Sequence, residues 1–324
     1  MLKTRITEMF GIEYPLIQGA MLWLARAELA AAVSNAGGLG IISSATFPTV
    51  KELRQEIRQA KSLTKKPFAV NITLLPTFRP MNYEDYIEAT IEEGVNIVET
   101  SGRSPGPYMK LFKDAKVKVM HKCARVRDAK AAERLGVDAV TIIGFEAGGN
   151  PGTEDVTSLV RIPIAVDAVK IPVIAGGGIA DGRGLVAALA LGAEAVLMGT
   201  RFIATQECMA HPEIKQCLVR ATEKDTIMIN RVFNNPERVL KTDLSLKVLE
   251  MEEAGATLPD LLPMITGLRG KQALEEGDIN QGVIACGEVV GLVRDVPSVK
   301  ELVDNIISEA KAVGQRLKST GIVA

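Results

Sequence analysis

The chain has 324 residues, and its 38 Lys and Arg side chains against 39 Asp and Glu give a formal net charge of −1. A chain without a basic excess has no long-range field that would attract nucleic acid or an anionic membrane, so we expect neither as a partner. Hydrophobic residues make up 47% and charged residues 24%, which is typical of a globular protein and excludes disordered, collagen-like and coiled-coil classes.

From residue 14 to residue 200 the sequence repeats one unit, in which a short apolar segment is followed by a stretch with helical spacing. The eight apolar segments are YPLIQG (14–19), LGIISS (39–44), PFAVNIT (67–73), VNIVETSG (95–102), VKVMHKC (117–123), VDAVTIIG (137–144), PVIAGGG (172–178) and AEAVLMGT (193–200). Most are continuous apolar runs, as expected for strands buried on both faces of a parallel sheet. Four helices would end at Gly37, Gly94, Gly136 and Gly192, where a left-handed residue is favoured. The pattern predicts an α/β fold, a (β/α)8 TIM barrel.

The alternation of strands and helices stops after Thr200. Residues 206–283 are rich in Lys, Glu, Asn and Met, and we predict that they form a small, mostly helical insertion after strand eight. Two helices, over 286–293 and 297–316, then complete the barrel. The predicted domains are therefore a barrel built from 1–205 plus 284–324 and a helical subdomain over 206–283.

In a TIM barrel the active site lies at the carboxyl ends of the strands, and the residues at two of those ends point to a phosphate site. The run AGGGIADGRG (175–184) places Gly176, Gly177 and Gly178 after strand seven. Their backbone N–H groups can approach a phosphate closely, and the start of the next helix adds a favourable dipole. Gly199 and Thr200 follow strand eight and would complete the site. The alternative is a glycine turn that packing alone requires, but the pairing of the two strand ends favours phosphate.

Two polar side chains at other strand ends are suited to bind a planar ring. Asn71 closes strand three, and its carboxamide can both donate and accept; a turn residue that bonds its own backbone is an equally open alternative. Lys122 follows the apolar part of strand five, where its charge would stabilise an anion developing at a ring edge. Because neighbouring strand residues point to opposite faces, we expect His121 to be structural.

The remaining reactive residues form no recognisable site. The cysteines Cys123, Cys208, Cys217 and Cys286 are far apart and include no CxxC pair, so we expect neither disulfides nor zinc, and Cys123 is interpreted as a buried structural thiol. His211 is assigned to packing, and the absence of HExxH and GxSxG motifs argues against a metal site and a hydrolase nucleophile. The N-terminus has no signal-peptide core, and no apolar run approaches the roughly 18 residues of a membrane span, which predicts a cytoplasmic protein.

The motifs at successive strand ends resemble a known family. PLIQGAM, AGGLGII, FAVNITLLP, HKC, GFEAGG, AGGGIADGRG and MGTRFIAT follow one another in chain order. Together they are similar to the FMN flavoproteins of the nitronate monooxygenase (2-nitropropane dioxygenase-like) family. TLLPT (73–77) and GFEAGGNPGTED (144–155) look most like its NADH:quinone reductase branch. The resemblance implies that FMN is the cofactor and that the subdomain over 206–283 caps the substrate.

The resemblance also implies which residues form the site. The predicted FMN-binding residues are Gln18, Gly19, Ala20, Met21, Asn71, Lys122, Glu146, Ala147, Gly148, Gly149, Gly176, Gly177, Gly178, Gly199 and Thr200. The predicted catalytic residues are Lys122 and Asn150. The family normally has a histidine at the position of Asn150, and an asparagine cannot take a proton near neutral pH, although it can hydrogen-bond a carbonyl or nitro oxygen.

The leading prediction is reduction of a quinone-like or other unsaturated small molecule by NADH or NADPH, because electron transfer from a nicotinamide to a flavin needs positioning rather than a base. The first alternative is oxidation of nitronates by O2, since nitronates arrive already deprotonated. The sequence also leaves open enoyl-ACP reduction, a flavin binder without catalysis, and a flavin-free barrel that takes a phosphorylated substrate. It does not distinguish NADH from NADPH, and a homodimer is the default expectation.

Overall fold

The computed structural model describes residues 2–75 and 81–321. Pro76 and Thr77 of the TLLPT motif, and 322–324 of the predicted barrel domain, lie outside these ranges. The barrel strands are β1 (Leu16–Gln18), β2 (Gly40–Ser43), β3 (Phe68–Leu74), β4 (Ile97–Gly102), β5 (Lys118–Cys123), β6 (Ala139–Ile143), β7 (Val173–Gly176) and β8 (Ala195–Met198). They form one parallel sheet in the order β1-β8-β7-β6-β5-β4-β3-β2, and each overlaps one predicted segment. The predicted TIM barrel is confirmed.

Helices cover the outside of the barrel and continue beyond its last strand. They are α1 (Arg5–Phe10), α2 (Ala27–Asn35), α3 (Val50–Leu63), α4 (Tyr83–Glu92), α5 (Met109–Asp114), α6 (Val126–Leu135), α7 (Ser158–Ala168), α8 (Gly182–Ala190), α9 (Thr200–Ile203), α10 (Pro212–Arg220), α11 (Asp243–Glu253), α12 (Leu258–Ile265), α13 (Gly267–Glu276) and α14 (Val299–Ser319). The helices α2 to α8 connect successive strands. Among the helices of the described ranges, none is both long enough and apolar enough to cross a membrane.

The two faces of the strands build two apolar cores. Inward residues such as Ile41, Ile97 and Met120 form one cluster inside the barrel with Ile6 and Phe10 of α1. The helix α1 therefore closes one end of the barrel. The outward residues of the same strands pack beneath the connecting helices. Burying each Val, Leu or Ile side chain contributes about 1.5–3 kcal/mol, which explains why the strands are apolar at nearly every position.

The helix ends follow the predicted signals. Gly37, Gly94, Gly136 and Gly192 all have positive φ, between +70° and +98°, which a residue with a Cβ rarely adopts. At the other end, α3 begins with a reciprocal capping box, in which the Thr49 hydroxyl accepts from the backbone of Glu52. These local signals mark the residues at which the helices begin and end.

The interface between β1 and β2 is the least paired in the ring. The two segments share a single bridge, from Ile17 to Leu39, whereas the other neighbouring strands pair over three to five residues. The carboxamide of Gln18 adds a bond across this interface, because its Oε1 accepts from the backbone N–H of Ile41 at 3.0 Å. A side chain thus completes the closure of the barrel.

The segment after β8 is less uniformly helical than predicted. Besides α10 to α13 it contains an antiparallel hairpin of β9 (Thr226–Ile229) and β10 (Glu237–Leu240), which the sequence analysis did not anticipate. The helix predicted over 286–293 is only a 3-10 turn, Glu288–Leu292, and the helix predicted over 297–316 is α14. The hairpin is joined to the barrel by a bridge between Gly149 and Arg238.

Candidate active site

A cavity of about 730 Å³ opens at the carboxyl ends of the barrel strands. Its floor and sides come from the loops that follow β1, β5, β6, β7 and β8, and further walls come from 234–237 and 265–267 in the segment after β8. The predicted site residues that line it are Gly19, Ala20, Met21, Lys122, Glu146, Ala147, Gly148, Gly149, Asn150, Gly177, Gly178, Gly199 and Thr200. Most of the predicted set is therefore brought together around one space.

Three predicted residues do not line this cavity. Gln18 is completely buried and bonds Ile41 across the barrel interface, so its side chain is structural. Gly176 lies within β7, where an added Cβ would come within 2.9 Å of the Ile143 side chain. Asn71 lies in the buried interior of the barrel. Gln18 and Gly176 are the last residues of their strands, whereas Asn71 does not close strand three as predicted, because β3 continues to Leu74.

Beneath the cavity, a buried network surrounds a carboxylate to which the sequence analysis gave no role. Glu99 of β4 is completely buried, and its Oε2 accepts from Asn71 Nδ2 at 2.6 Å and from Lys122 Nζ at 3.2 Å. Its Oε1 has no hydrogen-bond partner among the described residues. Thr73 donates to Asn71 Oδ1 at 2.7 Å, which fixes the carboxamide. The sequence signal for Glu99 was a charged residue within an apolar strand, which requires a partner.

The network fixes a positive charge at the floor of the cavity. The Lys122 side chain lines the cavity and is only 20% exposed, and its ammonium is paired with Glu99. An ammonium held in this way needs little reorganisation to stabilise negative charge on a bound ring. The predicted inward position of Lys122 therefore agrees with the geometry.

His121 and Cys123 flank Lys122 on β5 and are both buried. Burial lowers the pKa of His121 to about 4, and its Nδ1 lies 2.8 Å from the Thr100 hydroxyl, so the imidazole is neutral near pH 7. Burial raises the pKa of the Cys123 thiol to about 12. Neither side chain is ready for proton transfer or nucleophilic attack at neutral pH, which agrees with the structural roles predicted for them.

The glycine loop after β7 lies so close to the loop after β6 that side chains in it would be crowded. Gly177 and Gly178 have φ of +90° and +72°. A Cβ on Gly178 would lie 3.0 Å from Glu146 Oε1, and a Cβ on Gly177 would lie 3.2 Å from the Ala147 Cβ. After β8, a Cβ on Gly199 would meet only Met21, at 3.8 Å. The two loops thus expose backbone to the cavity with no side chain between.

The backbone N–H groups at the start of α8, the helix whose dipole was predicted to favour a phosphate, are paired with carboxylates. Asp181 accepts from Arg183 and Gly184, and Glu309 accepts from Gly182 at 2.8 Å. The start of α7 is likewise occupied by Glu146, which accepts from the N–H of Ser158 at 3.0 Å. A ligand phosphate would therefore rely on the glycine loops rather than on either helix start.

The loop after β6 is held by the hairpin that the sequence analysis missed. Gly149 and Arg238 exchange two backbone hydrogen bonds, of 3.0 and 2.7 Å. The Arg238 guanidinium also donates to the carbonyl of Phe145 at 3.2 Å and pairs with Glu288 at 2.9 Å. Asn150 itself is exposed, and its Nδ2 donates to the carbonyl of Pro236 at 3.1 Å. The amide that was predicted to hold a substrate oxygen is thus engaged by the hairpin.

A second contact joins the loop after β1 to the segment over the cavity. Trp23 has a φ of +69°, and its indole Nε1 donates to the carbonyl of Gly267 at 2.8 Å. Lys271 of α13 lies over the indole, 5.6 Å from the ring centre. Because Ile265, Thr266 and Gly267 line the cavity, this bond places the start of α13 at the cavity wall.

Comparison with known proteins gives matches along almost the whole chain. The family model described as nitronate monooxygenase matches residues 3–309. The (3aS,4S,5R,7aS)-5-hydroxy-7a-methyl-1-oxo-octahydro-1H-indene-4-carboxyl-CoA dehydrogenase of Rhodococcus jostii is 35% identical, with 95% of this chain and 96% of that protein covered. A probable nitronate monooxygenase of Staphylococcus saprophyticus is 32% identical, with coverages of 97% and 99%. The solved structure of FabK from Thermotoga maritima is 38% identical, with a TM-score of 0.92 and coverages of 99% and 100%.

Proposed function

Because the chain belongs to the nitronate monooxygenase family, whose members are FMN-dependent oxidoreductases, we propose that it reduces an unsaturated small molecule with electrons from NADH or NADPH through bound FMN. The acceptor would be a quinone or another conjugated carbonyl compound. The observation that carries this proposal is the position of Lys122, which lines the cavity and is paired with the buried carboxylate of Glu99. A charge in this place stabilises an electron-rich ring without taking or giving a proton.

The described residues fit FMN. The cavity volume lies within the range of about 300–1,000 Å³ that is usual for ligand and cofactor sites. Lys122 would hold the polar edge of the ring, and Gly177, Gly178 and Gly199 would hold the phosphate. The Thr200 hydroxyl accepts from the N–H of Gly287 at 3.0 Å, which fixes its position at the end of β8 beside the cavity. When bound, FMN supplies the ability to take two electrons from a nicotinamide and pass them to an acceptor.

The acceptor class draws support from both the cavity and a relative. Residues 206–283 are proposed to cap the substrate, because 234–237 and 265–267 line the cavity. The Rhodococcus jostii relative is named a dehydrogenase of a saturated ring carboxyl-CoA thioester, and reduction of a conjugated thioester is the reverse of a dehydrogenation next to the thioester carbonyl. Conjugated thioesters therefore stand beside quinones as the compounds to test. A cytoplasmic location and a homodimer remain predictions.

A second candidate function is nitronate oxidation, which the Staphylococcus saprophyticus relative favours through its name. The substrate in that case arrives as an anion, so it needs no proton acceptor and is attracted by Lys122. Asn150 would then orient a nitro oxygen only if its amide left the carbonyl of Pro236.

The test begins with an absorbance spectrum of the purified protein after reconstitution with FMN. Anaerobic addition of NADH and then NADPH should bleach the flavin, and 1,4-benzoquinone or crotonyl-CoA should restore it. A yellow protein that neither nicotinamide bleaches, but that consumes O2 with propyl-2-nitronate, would favour the second candidate. A yellow protein with neither activity would be a flavin binder without catalysis. Failure to bind FMN would contradict the cofactor assignment and favour a barrel for phosphorylated substrates.

A further inference from the structure

One carboxylate of the cavity has no role so far. Glu237 is the first residue of β10, and it lines the cavity. The next residue, Arg238, is directed to Phe145 and Glu288. Because consecutive side chains of a strand point to opposite faces, the Glu237 side chain is directed away from that pair and toward the cavity.

The backbone that carries Glu237 is held on both sides. Before it, the carbonyl of Pro236 accepts from Asn150 Nδ2 at 3.1 Å. After it, Arg238 exchanges its two backbone hydrogen bonds with Gly149. In an antiparallel pair with this register, Asn150 and Glu237 are opposite neighbours. The carboxylate is therefore presented from a fixed backbone beside the loop after β6.

Glu237 differs from the other charged residues of the cavity in having no partner. The others are partnered as follows: Lys122 with Glu99, Arg125 with Asp128, and Glu146 with the N–H of Ser158. In the part of the chain that the structure describes, no group donates a hydrogen bond to the Glu237 side chain, and no cation pairs with it. A half-buried carboxylate without a partner is costly to ionise, so its place in the cavity needs an explanation.

The surroundings favour a proton on this carboxyl group. The residues opposite it, Ile229 on β9 and Asn150 after β6, carry no charge. Burial raises the pKa of Glu237 to about 7. A carboxyl group with such a pKa is present in both protonation states near neutral pH, which suits it to give a proton and to recover it.

Resting on the proposed reduction of an unsaturated acceptor, we infer that Glu237 is the proton donor of this cavity. When a double bond conjugated to a carbonyl is reduced, a hydride equivalent that originates in NAD(P)H bonds to the β carbon. The π bond breaks, and its electron pair moves toward the carbonyl. The O–H bond of Glu237 then breaks and its proton bonds to the α carbon, or to the carbonyl oxygen of a quinone, after which the carboxylate takes up one proton from bulk solvent. NAD(P)H is oxidised, the acceptor is reduced, and one proton is consumed.

The experiment compares the wild type with Glu237→Gln and Glu237→Asp, all loaded with FMN. The proteins are reduced with dithionite, so that the result does not depend on a nicotinamide, and are mixed anaerobically with crotonyl-CoA, 1,4-benzoquinone or ferricyanide. Ferricyanide takes electrons without a proton and therefore reports whether the cofactor site is intact. Glu253→Gln, at the exposed end of α11, is the matched loss of a carboxylate outside the cavity.

We expect Glu237→Gln to slow reoxidation by crotonyl-CoA and benzoquinone by roughly 10²- to 10⁴-fold while the ferricyanide rate is unchanged. The Asp variant should retain part of the rate, and Glu253→Gln should retain all of it. The wild-type rate should fall as pH rises through about 7. In the cofactor-free protein, the infrared difference between wild type and Glu237→Gln should show a carboxylic acid that loses its proton in the same pH range.

Results opposite to these expectations would contradict either the assignment of Glu237 or the proposed function. Unchanged crotonyl-CoA and benzoquinone rates in Glu237→Gln, or a carboxyl group that titrates like an exposed glutamate in the infrared experiment, would overturn the assignment of Glu237 alone. If the reduced wild type passes electrons to ferricyanide but to neither unsaturated acceptor, the proposed function itself fails, and the inference about Glu237 fails with it.

Discussion

The Nζ atom of Lys122 lies 3.2 Å from Oε2 of Glu99, a carboxylate that is completely buried in the barrel. Removing the cation by Lys122→Met leaves Glu99 without its charge partner, which should lower the free energy of unfolding by roughly 2–3 kcal/mol, less than for a fully buried pair because the ammonium is partly exposed. Urea denaturation of the cofactor-free protein measures this loss.

The double variant Lys122→Met with Glu99→Gln is the control for the pair. It removes both charges, so most of the stability should return, whereas FMN affinity should stay as weak as in Lys122→Met. Fluorescence titration with FMN separates the two effects. Recovery of FMN affinity in the double variant would show that the lysine charge does not contact the cofactor.

Gly178→Ala should weaken FMN binding by tenfold or more. Its φ is +72°, and the new Cβ would lie 3.0 Å from Glu146 Oε1, at the edge of the proposed phosphate position. Gly255→Ala, at φ +86° with no atom within 4 Å of a Cβ, is the matched control for backbone strain. Both variants should lose about 1–2 kcal/mol of stability, but only the first should change the Kd for FMN. Equal changes in Kd would contradict the proposed phosphate position.

Trp23→Phe keeps most of the ring but removes the donor to the carbonyl of Gly267. We expect a loss of about 1 kcal/mol for this bond and faster hydrogen–deuterium exchange in peptides that cover 258–276. Lys271→Met, which removes the cation 5.6 Å from the indole and keeps the hydrogen bond, should have a smaller effect. If the Lys271 variant exchanged as fast as the Trp23 variant, the hydrogen bond would not be what holds α13 at the cavity.

His121 should make the fold sensitive to acid. Burial lowers its pKa to about 4, below the value of about 6.5 expected in the unfolded chain, so protonation favours unfolding. Its contribution is fully present above pH 6.5 and is lost as the pH falls through 4, by about 3 kcal/mol in all. His121→Gln should flatten this part of the unfolding free energy measured by urea denaturation between pH 7.5 and pH 4.5. The same dependence in wild type and variant would rule out His121 as its source, and His211→Gln controls for the loss of the other histidine.

The barrel was predictable because the local sequence signals and the packing of the strands specify the same strand boundaries. Continuous apolar strands and left-handed glycines such as Gly136 specify where each strand begins and ends, with no knowledge of distant contacts. The residues after strands six, seven and eight were likewise predictable, since a barrel brings all carboxyl ends together. The roles of Gln18 and Asn71 were not, because each depends on a partner from a neighbouring strand.

The hairpin could not be predicted for a similar reason. Its strands have four residues each, and the turn between them uses Asn230 and Asn234 with positive φ, a signal that single asparagines give only weakly. Its position depends on Arg238, which meets Phe145 far back in the chain. Glu237 therefore carries no signature of its own in the sequence, because its position in the cavity follows from this distant contact.

The interface between β1 and β2 has a consequence for ligand entry. The residues Gly19 to Met21 form the cavity wall after β1, and this wall is anchored unequally. On one side the N–H of Gly19 donates to the carbonyl of Met198 at 2.8 Å, continuing the ladder of β8. On the other side the two strands share one bridge and the bond to the Gln18 carboxamide, and the loop is next joined to β2 at Ala25, whose carbonyl accepts from the N–H of Ser43 at 2.9 Å. We therefore expect local opening of the barrel to occur first in the stretch between these two anchors, so that adjustment to ligands of different width takes place there rather than around the buried Glu99.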